Sequence, residues 1–124
     1  MIPVIVESPL RGATGSPEEY ERNRIYARRC VRWCLLNGRA PFASHLIYAQ
    51  PGILDDCVPE ERERGIQAGY AWARLAAEWI FFIDYGWSTG MLEQKARFDA
   101  AAPWRPQRGY AERKIGPNPE KKEQ

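Results

Sequence analysis

Histidine occurs once, methionine twice and cysteine three times in 124 residues, and no run of apolar residues approaches the roughly 18 needed to cross a bilayer. A zinc centre needs about four ligands, so the single His45 beside Cys30 and Cys34 does not supply one, and those two cysteines read as small buried apolar residues. Three thiols cannot all pair among themselves, and a chain with 44% apolar residues can build its core without staples, which excludes a disulfide scaffold. Fourteen Arg and four Lys face sixteen acids, and a net charge of +2 creates no strong field for nucleic acid or an anionic membrane. The start, Met1-Ile-Pro-Val-Ile-Val-Glu7, has neither a basic segment nor a cleavage signal, so a cytoplasmic location without a membrane partner is expected. What remains, at 27% charged residues and with no internal repeat, has the length and balance of one globular domain.

Turn and cap chemistry divides the chain. Ile2 to Val6 is apolar and β-branched and gives way at Glu7 to Ser8-Pro-Leu-Arg-Gly12, which reads as a strand followed by a loop. Ser16-Pro17-Glu18-Glu19 places a capping Ser, a Pro at the first helical position and a Glu at the third, and Asn37-Gly38 supplies a left-handed stop about five turns later. A short second strand over residues 39–44 contains Pro41, which lacks an amide donor and confines that strand to an edge. Pro59-Glu60-Glu61 opens a second helix expected to run to about Ala77. Glu78-Trp-Ile-Phe-Phe-Ile83 shows no polar alternation after its first residue, as a strand covered on both faces should. A third helix is expected over residues 89–101 with Ser88 as cap, and a last strand over residues 104–108, held to an edge by Pro106.

Strands alternating with helices imply one α/β domain of three layers, with a parallel sheet of about four strands in the order 2-1-3-4 and helices on both faces. The domain is expected over residues 1–109, and residues 110–124, charged and without apolar periodicity, as a flexible tail.

In such a sheet a ligand binds beyond the carboxyl ends of the strands, where the strand order reverses between the first and third. That rule selects Glu7-Ser-Pro-Leu-Arg-Gly12 and Asp84-Tyr-Gly-Trp-Ser-Thr-Gly90, with Ser44, His45 and Tyr48 contributing from the second strand's end. Free loop amides beside Arg11 suit an anion, and helix amides at Ser88-Thr-Gly90 suit a ribose or phosphate oxygen.

At these residues the sequence resembles the nucleoside 2-deoxyribosyltransferase-like superfamily, especially its small nucleoside 5'-monophosphate N-glycosidase relatives and the uncharacterised phage proteins around them, over about residues 2 to 108. Ser8-Pro-Leu-Arg11-Gly12 is similar, with one residue inserted, to the Ser-x-Arg-Gly that holds phosphate in the hydrolases. Ser88-Thr-Gly90-Met91 is similar to the Ser-x-Gly that opens the helix with the catalytic carboxylate. The resemblance implies recognition of a nucleotide or nucleoside, N-glycosidic hydrolysis or deoxyribosyl transfer without a cofactor, and a homo-oligomer. It also exposes a departure: six residues after Ser88, where the relatives carry a nucleophilic Glu, stands Gln94, with Glu93 one position early and about 100° round the helix. Neither Val4 nor Ile5 supplies the strand-one Tyr of the hydrolases.

Cleavage of a glycosidic bond needs a carboxylate to stabilise or trap the sugar cation and an acid to assist the leaving base. Glu93, Asp84 and Glu7 are the candidate catalytic carboxylates, while Asp55, Asp56, Glu60 and Glu61 read more simply as a solvated loop and helix start. Ser8, Arg11, Gly12, His45, Trp87, Ser88, Gly90 and Gln94 are the candidate ligand contacts, Trp87 and Tyr85 as stacking aromatics or as part of a subunit interface. Arg24, Arg28 and Arg32 are interleaved with acids and read as a solvated helix face. A protein that keeps the phosphate loop but has lost catalysis, sequestering a nucleotide signal in a phage setting, is the competing reading, and Gln94 is the residue that favours it.

Overall fold

In a computed structural model that describes residues 1–12, 14–100 and 106–120, the chain runs β1 (Ile2–Glu7), α1 (Pro17–Leu36), β2 (Arg39–Phe42), α2 (Ser44–Ile47), α3 (Pro59–Ala73), β3 (Glu78–Phe82), α4 (Thr89–Ala100) and β4 (Tyr110–Arg113). The four strands form one parallel sheet in the order β2-β1-β3-β4, as the Pro-bearing edge and the doubly apolar centre required. Pro41 lies opposite Val4 on the edge strand, and all five residues of β3 are buried.

Alternation along the two central strands sorts their side chains into two cores. Val4 and Val6 of β1 with Ile80 and Phe82 of β3 meet Tyr26, Cys30 and Cys34 of α1 on one face. Ile5, Trp79 and Phe81 meet Ala73 of α3 and Met91 and Phe98 of α4 on the other. Both thiols of α1 serve as small apolar packing, and burial raises both, Cys34 to about 11.

The caps act largely as the sequence suggests. Ser16 Oγ accepts from the Glu19 amide at 3.2 Å and Pro17 opens α1. Glu19, however, turns away from the cap and accepts from the Thr14 amide at 2.8 Å, so the expected reciprocal box becomes a clamp on the preceding loop.

Three boundaries differ from expectation. The second strand stops at Phe42, and Ser44 begins the four-residue α2. Helix α3 ends at Ala73 rather than near Ala77, because the Ala77 amide already donates to Pro3 O at 2.7 Å and draws the chain into the sheet. The last strand is not at residues 104–108: Trp104 and Arg105 lie outside the described residues, Pro106 to Arg108 form a turn closed by the Gly109 amide on Pro106 O, and β4 follows at Tyr110–Arg113. Its charged Glu112 and Arg113 blunt the sheet edge, which is also why the segment reads as a tail in sequence.

The expected domain limit at residue 109 is corrected with it. Beyond β4, Ile115 packs against the α1-side core, and the Ile115 and Gly116 amides donate to Asp84 at 2.9 and 2.8 Å. Tyr26 donates to the same carboxylate at 2.5 Å and accepts from the Asp84 amide at 3.0 Å. The Asn118 amide donates to Tyr85 Oη, and Arg29 donates to Gly116 O. A chain ended after Gly109 is therefore expected to lose its β3 edge cover and melt far below the full chain. Asp84→Ala, which orphans two amides and a buried hydroxyl, should cost about 3 kcal/mol and lower the thermal midpoint by roughly 10 °C. Calorimetry in which both variants matched the full chain would show the C-terminal segment to be dispensable.

Candidate functional site

The carboxyl ends of the strands open on a cleft of about 570 Å³. Glu7, Ser8, Arg11 and Gly12 line it from the β1–α1 loop, Ser44, His45 and Tyr48 from α2 and its exit, Asp56 and Arg62 from the far wall, and Ser88, Gly90, Glu93 and Gln94 from the start of α4.

The β1–α1 loop is fixed from below. Asn23, fully buried on α1, donates to Leu10 O at 2.9 Å. Gly12 has φ +75°, a conformation that favours glycine, and a Cβ there would also stand 2.9 Å from Glu19 Cβ. Arg11, expected to offer a free fork of donors, is instead engaged by Asp56: its Nε donates to Asp56 Oδ2 at 2.8 Å and its Nη2 to the Asp56 carbonyl. Asp56 also stands 3.8 Å from Arg62 Nε, and Arg62 Nη2 reaches Glu93 Oε2 at 3.3 Å. Arg11, Asp56, Arg62 and Glu93 thus form a continuous, charge-balanced chain along the cleft.

At its floor the charge is withdrawn. The Glu7 carboxyl makes no hydrogen bond with the described residues, and burial at the end of β1 pushes it up to about 8, so it holds its proton at neutral pH. His45 hydrogen-bonds through Nε2 to the Ser8 hydroxyl at 2.7 Å, and burial lowers its pKa to about 4, leaving the ring neutral. So weak a base would be a poor acceptor for a serine proton, which argues against a Ser8 nucleophile and suits the pair to hydrogen-bonding a ligand.

Ser88 accepts from the Met91 amide at 3.1 Å and so caps α4 while facing the cleft. The register of α4 sets Gln94, half-buried, towards Glu7: both line the main cleft and a narrow recess of about 40 Å³ behind it. Glu93 lies further out on the exposed side with Arg62.

Two expected site residues are elsewhere. Asp84 is absorbed by the C-terminal segment; burial acts to raise its carboxyl, but the Ile115 amide, the Tyr26 hydroxyl and the Gly116 amide outweigh this and hold it below the usual range. Trp87, partly buried, packs against the core on Phe81 with ring centroids 4.8 Å apart and does not line the cleft, and Tyr85 faces Tyr26 and the Arg22 guanidinium. Conversely, Asp56 and Arg62 are cleft residues that sequence reasoning left in a solvated loop and helix. The run Glu60-Glu-Arg-Glu-Arg64 looks like any exposed first turn, and of its five residues the structure brings Glu61 and Arg62 to the cleft.

Residues 2–102 match a family described as Domain of unknown function (DUF7768). The chain belongs to that family. No curated protein and no solved structure matched it.

Glu7 and His45 give folding stability a definite pH dependence. A carboxyl raised from 4.5 to about 8 stabilises the fold fully below pH 4.5 and loses that contribution as pH rises to 8; a His lowered from 6.5 to about 4 contributes above 6.5 and loses it as pH falls to 4. The two slopes oppose each other between 4.5 and 6.5, so the thermal midpoint should be nearly level there and fall on either side. Glu7→Gln should abolish the alkaline fall, up to about 5 kcal/mol, and uncover the His45 slope, so that the acid limb begins near pH 6.5. Melting curves from pH 4 to 9 decide this; an unchanged alkaline limb in the variant would show that Glu7 titrates normally.

Proposed function

We propose that the cleft binds a nucleoside or nucleotide and that the protein cleaves the N-glycosidic bond, with Glu7 as the proton donor to the departing base. The observation that carries this reading is the Glu7 carboxyl, which lines a ligand-sized cleft without a hydrogen-bond partner among the described residues, where burial pushes its pKa up to about 8. Such a group is poised for general acid catalysis. The resemblance at Ser8-Pro-Leu-Arg11-Gly12 and Ser88-Thr-Gly90 supplies the substrate class.

The chemistry follows from the two carboxyl groups. As the bond from anomeric carbon to base nitrogen breaks, its electron pair leaves with the base, which takes the Glu7 proton; water adds to the sugar cation and returns a proton to the Glu7 carboxylate. Glu93, ion-paired to Arg62 on the α4 wall, is the negative charge available to the developing cation. The Ser8 and His45 pair and the Ser88 hydroxyl are suited to hydrogen-bonding the sugar, and Arg11 and Gly12 to a 5'-phosphate. One specific observation favours a second reading, in which the protein binds the nucleotide without cleaving it: Gln94, not a carboxylate, faces the recess beside Glu7.

Incubation with a panel of nucleosides and nucleoside 5'-monophosphates, followed by chromatography, tests both readings. Free base is expected, with a rate that falls as pH rises through about 8. Glu7→Gln should lower kcat by roughly 100-fold or more with little change in KM. Retention of a nucleotide without base release would establish the binder and overturn the hydrolase; neither retention nor release would overturn both.

A further inference from the structure

Residues 48–58, between α2 and α3, form a segment that is largely organised by itself. The Leu54 amide donates to Tyr48 O, Ile53 to Gln50 O, Val58 to Asp55 O, and the Cys57 amide to Asp55 Oδ1 at 2.9 Å. Polar contact with the β1–α1 side across the cleft mouth rests, among the described residues, on Asp56 with Arg11 and on a weak contact of Cys57 Sγ with Tyr20 Oη at 3.8 Å. The Asp56 side chain is 18% exposed, against 45% for Arg11 and 32% for Arg62, so the carboxylate sits between the two guanidinium groups as an anionic ligand would.

We propose that Asp56 is a built-in occupant of an anion site formed by Arg11 and Arg62, and that a ligand's phosphate group displaces it and thereby releases residues 48–58 from the cleft mouth. A carboxylate carries one charge and a phosphate monoester close to two, with three oxygens for two planar forks of donors, so the exchange favours the phosphate. A ligand without that charge leaves the strap closed. Asp56 therefore selects for phosphorylated ligands by making an uncharged one compete with an ion pair it cannot replace. Arg62 keeps Glu93 as a second partner through the exchange, so the site is never left as two bare cations. The inference rests on the nucleotide reading only for where the phosphate comes from, and its test needs no catalysis.

Inorganic phosphate is the probe, titrated calorimetrically into the full chain. Asp56→Asn should bind it about tenfold more tightly than the natural chain, because the competitor is gone, and Arg62→Gln about tenfold more weakly. Cys57 supplies a second readout: it is the exposed thiol, Cys30 and Cys34 being buried, so labelling by a disulfide reagent reports on the segment beside Asp56. Phosphate should accelerate that labelling several-fold in the natural chain, and Asp56→Asn should show the faster rate without phosphate. Equal or weaker phosphate binding by Asp56→Asn would overturn the proposal. Should that variant fail to fold, unaltered phosphate binding by Arg62→Gln, or Cys57 labelling indifferent to phosphate, would overturn it as well. Base release bears on the hydrolase reading alone, so the two can fail separately.

Discussion

Strands β1 and β3 are covered on both faces, and that double burial organises everything else. With Trp79, Ile80, Phe81 and Phe82 all buried, the sheet cannot present a solvated side, so helices must pack above and below it and each connection must cross from one end of the sheet to the other. The loops after β1 and β3 are thereby delivered to one end, at the place where the order reverses. The same burial explains Glu7. It is the last residue of β1, half enclosed by a sheet with little polar surface to offer, and its carboxyl stays protonated because its surroundings give a negative charge nothing to bond.

The cleft combines two electrostatic regimes. Its floor, with Glu7 protonated and His45 neutral, suppresses charge by desolvation, and its rim, with Arg11, Asp56, Arg62 and Glu93, satisfies charge by pairing. Ionising the floor opposes folding, whereas re-pairing the rim costs little, since exposed ion pairs contribute modestly and exchange partners easily. Proton transfer therefore belongs with the floor and ligand exchange with the rim.

Much of the architecture was legible because its signals are local. Pro41 marked an edge, the unbroken run Trp79 to Phe82 marked a centre, and Ser16-Pro17 and Ser88 marked helix starts that the structure uses as such. The failures share a cause: their deciding contacts are remote in sequence. Asp84 looked like a strand-end acid until the Ile115 and Gly116 amides, some thirty residues on, claimed it. β4 looked like a charged tail because its sheet-forming partner is β3, which no periodicity of its own announces. Arg11 lines the cleft, but its partner Asp56 lies 45 positions away.

Glu93 and Gln94 show why one position on a helix matters. Ser88 fixes where α4 begins, and from that start Met91 enters the core, Gln94 follows on the inner side and Glu93 turns outwards to Arg62. A carboxylate at position 94 would have placed a second acid beside the recess that Glu7 already lines, and like charges in one site oppose ionisation. With an amide there, no second carboxyl stands beside Glu7, and the negative charge lies at the rim, where Arg62 compensates it. The replacement is thus consistent with a cleft in which the acidic proton is held by the strand and not by the helix.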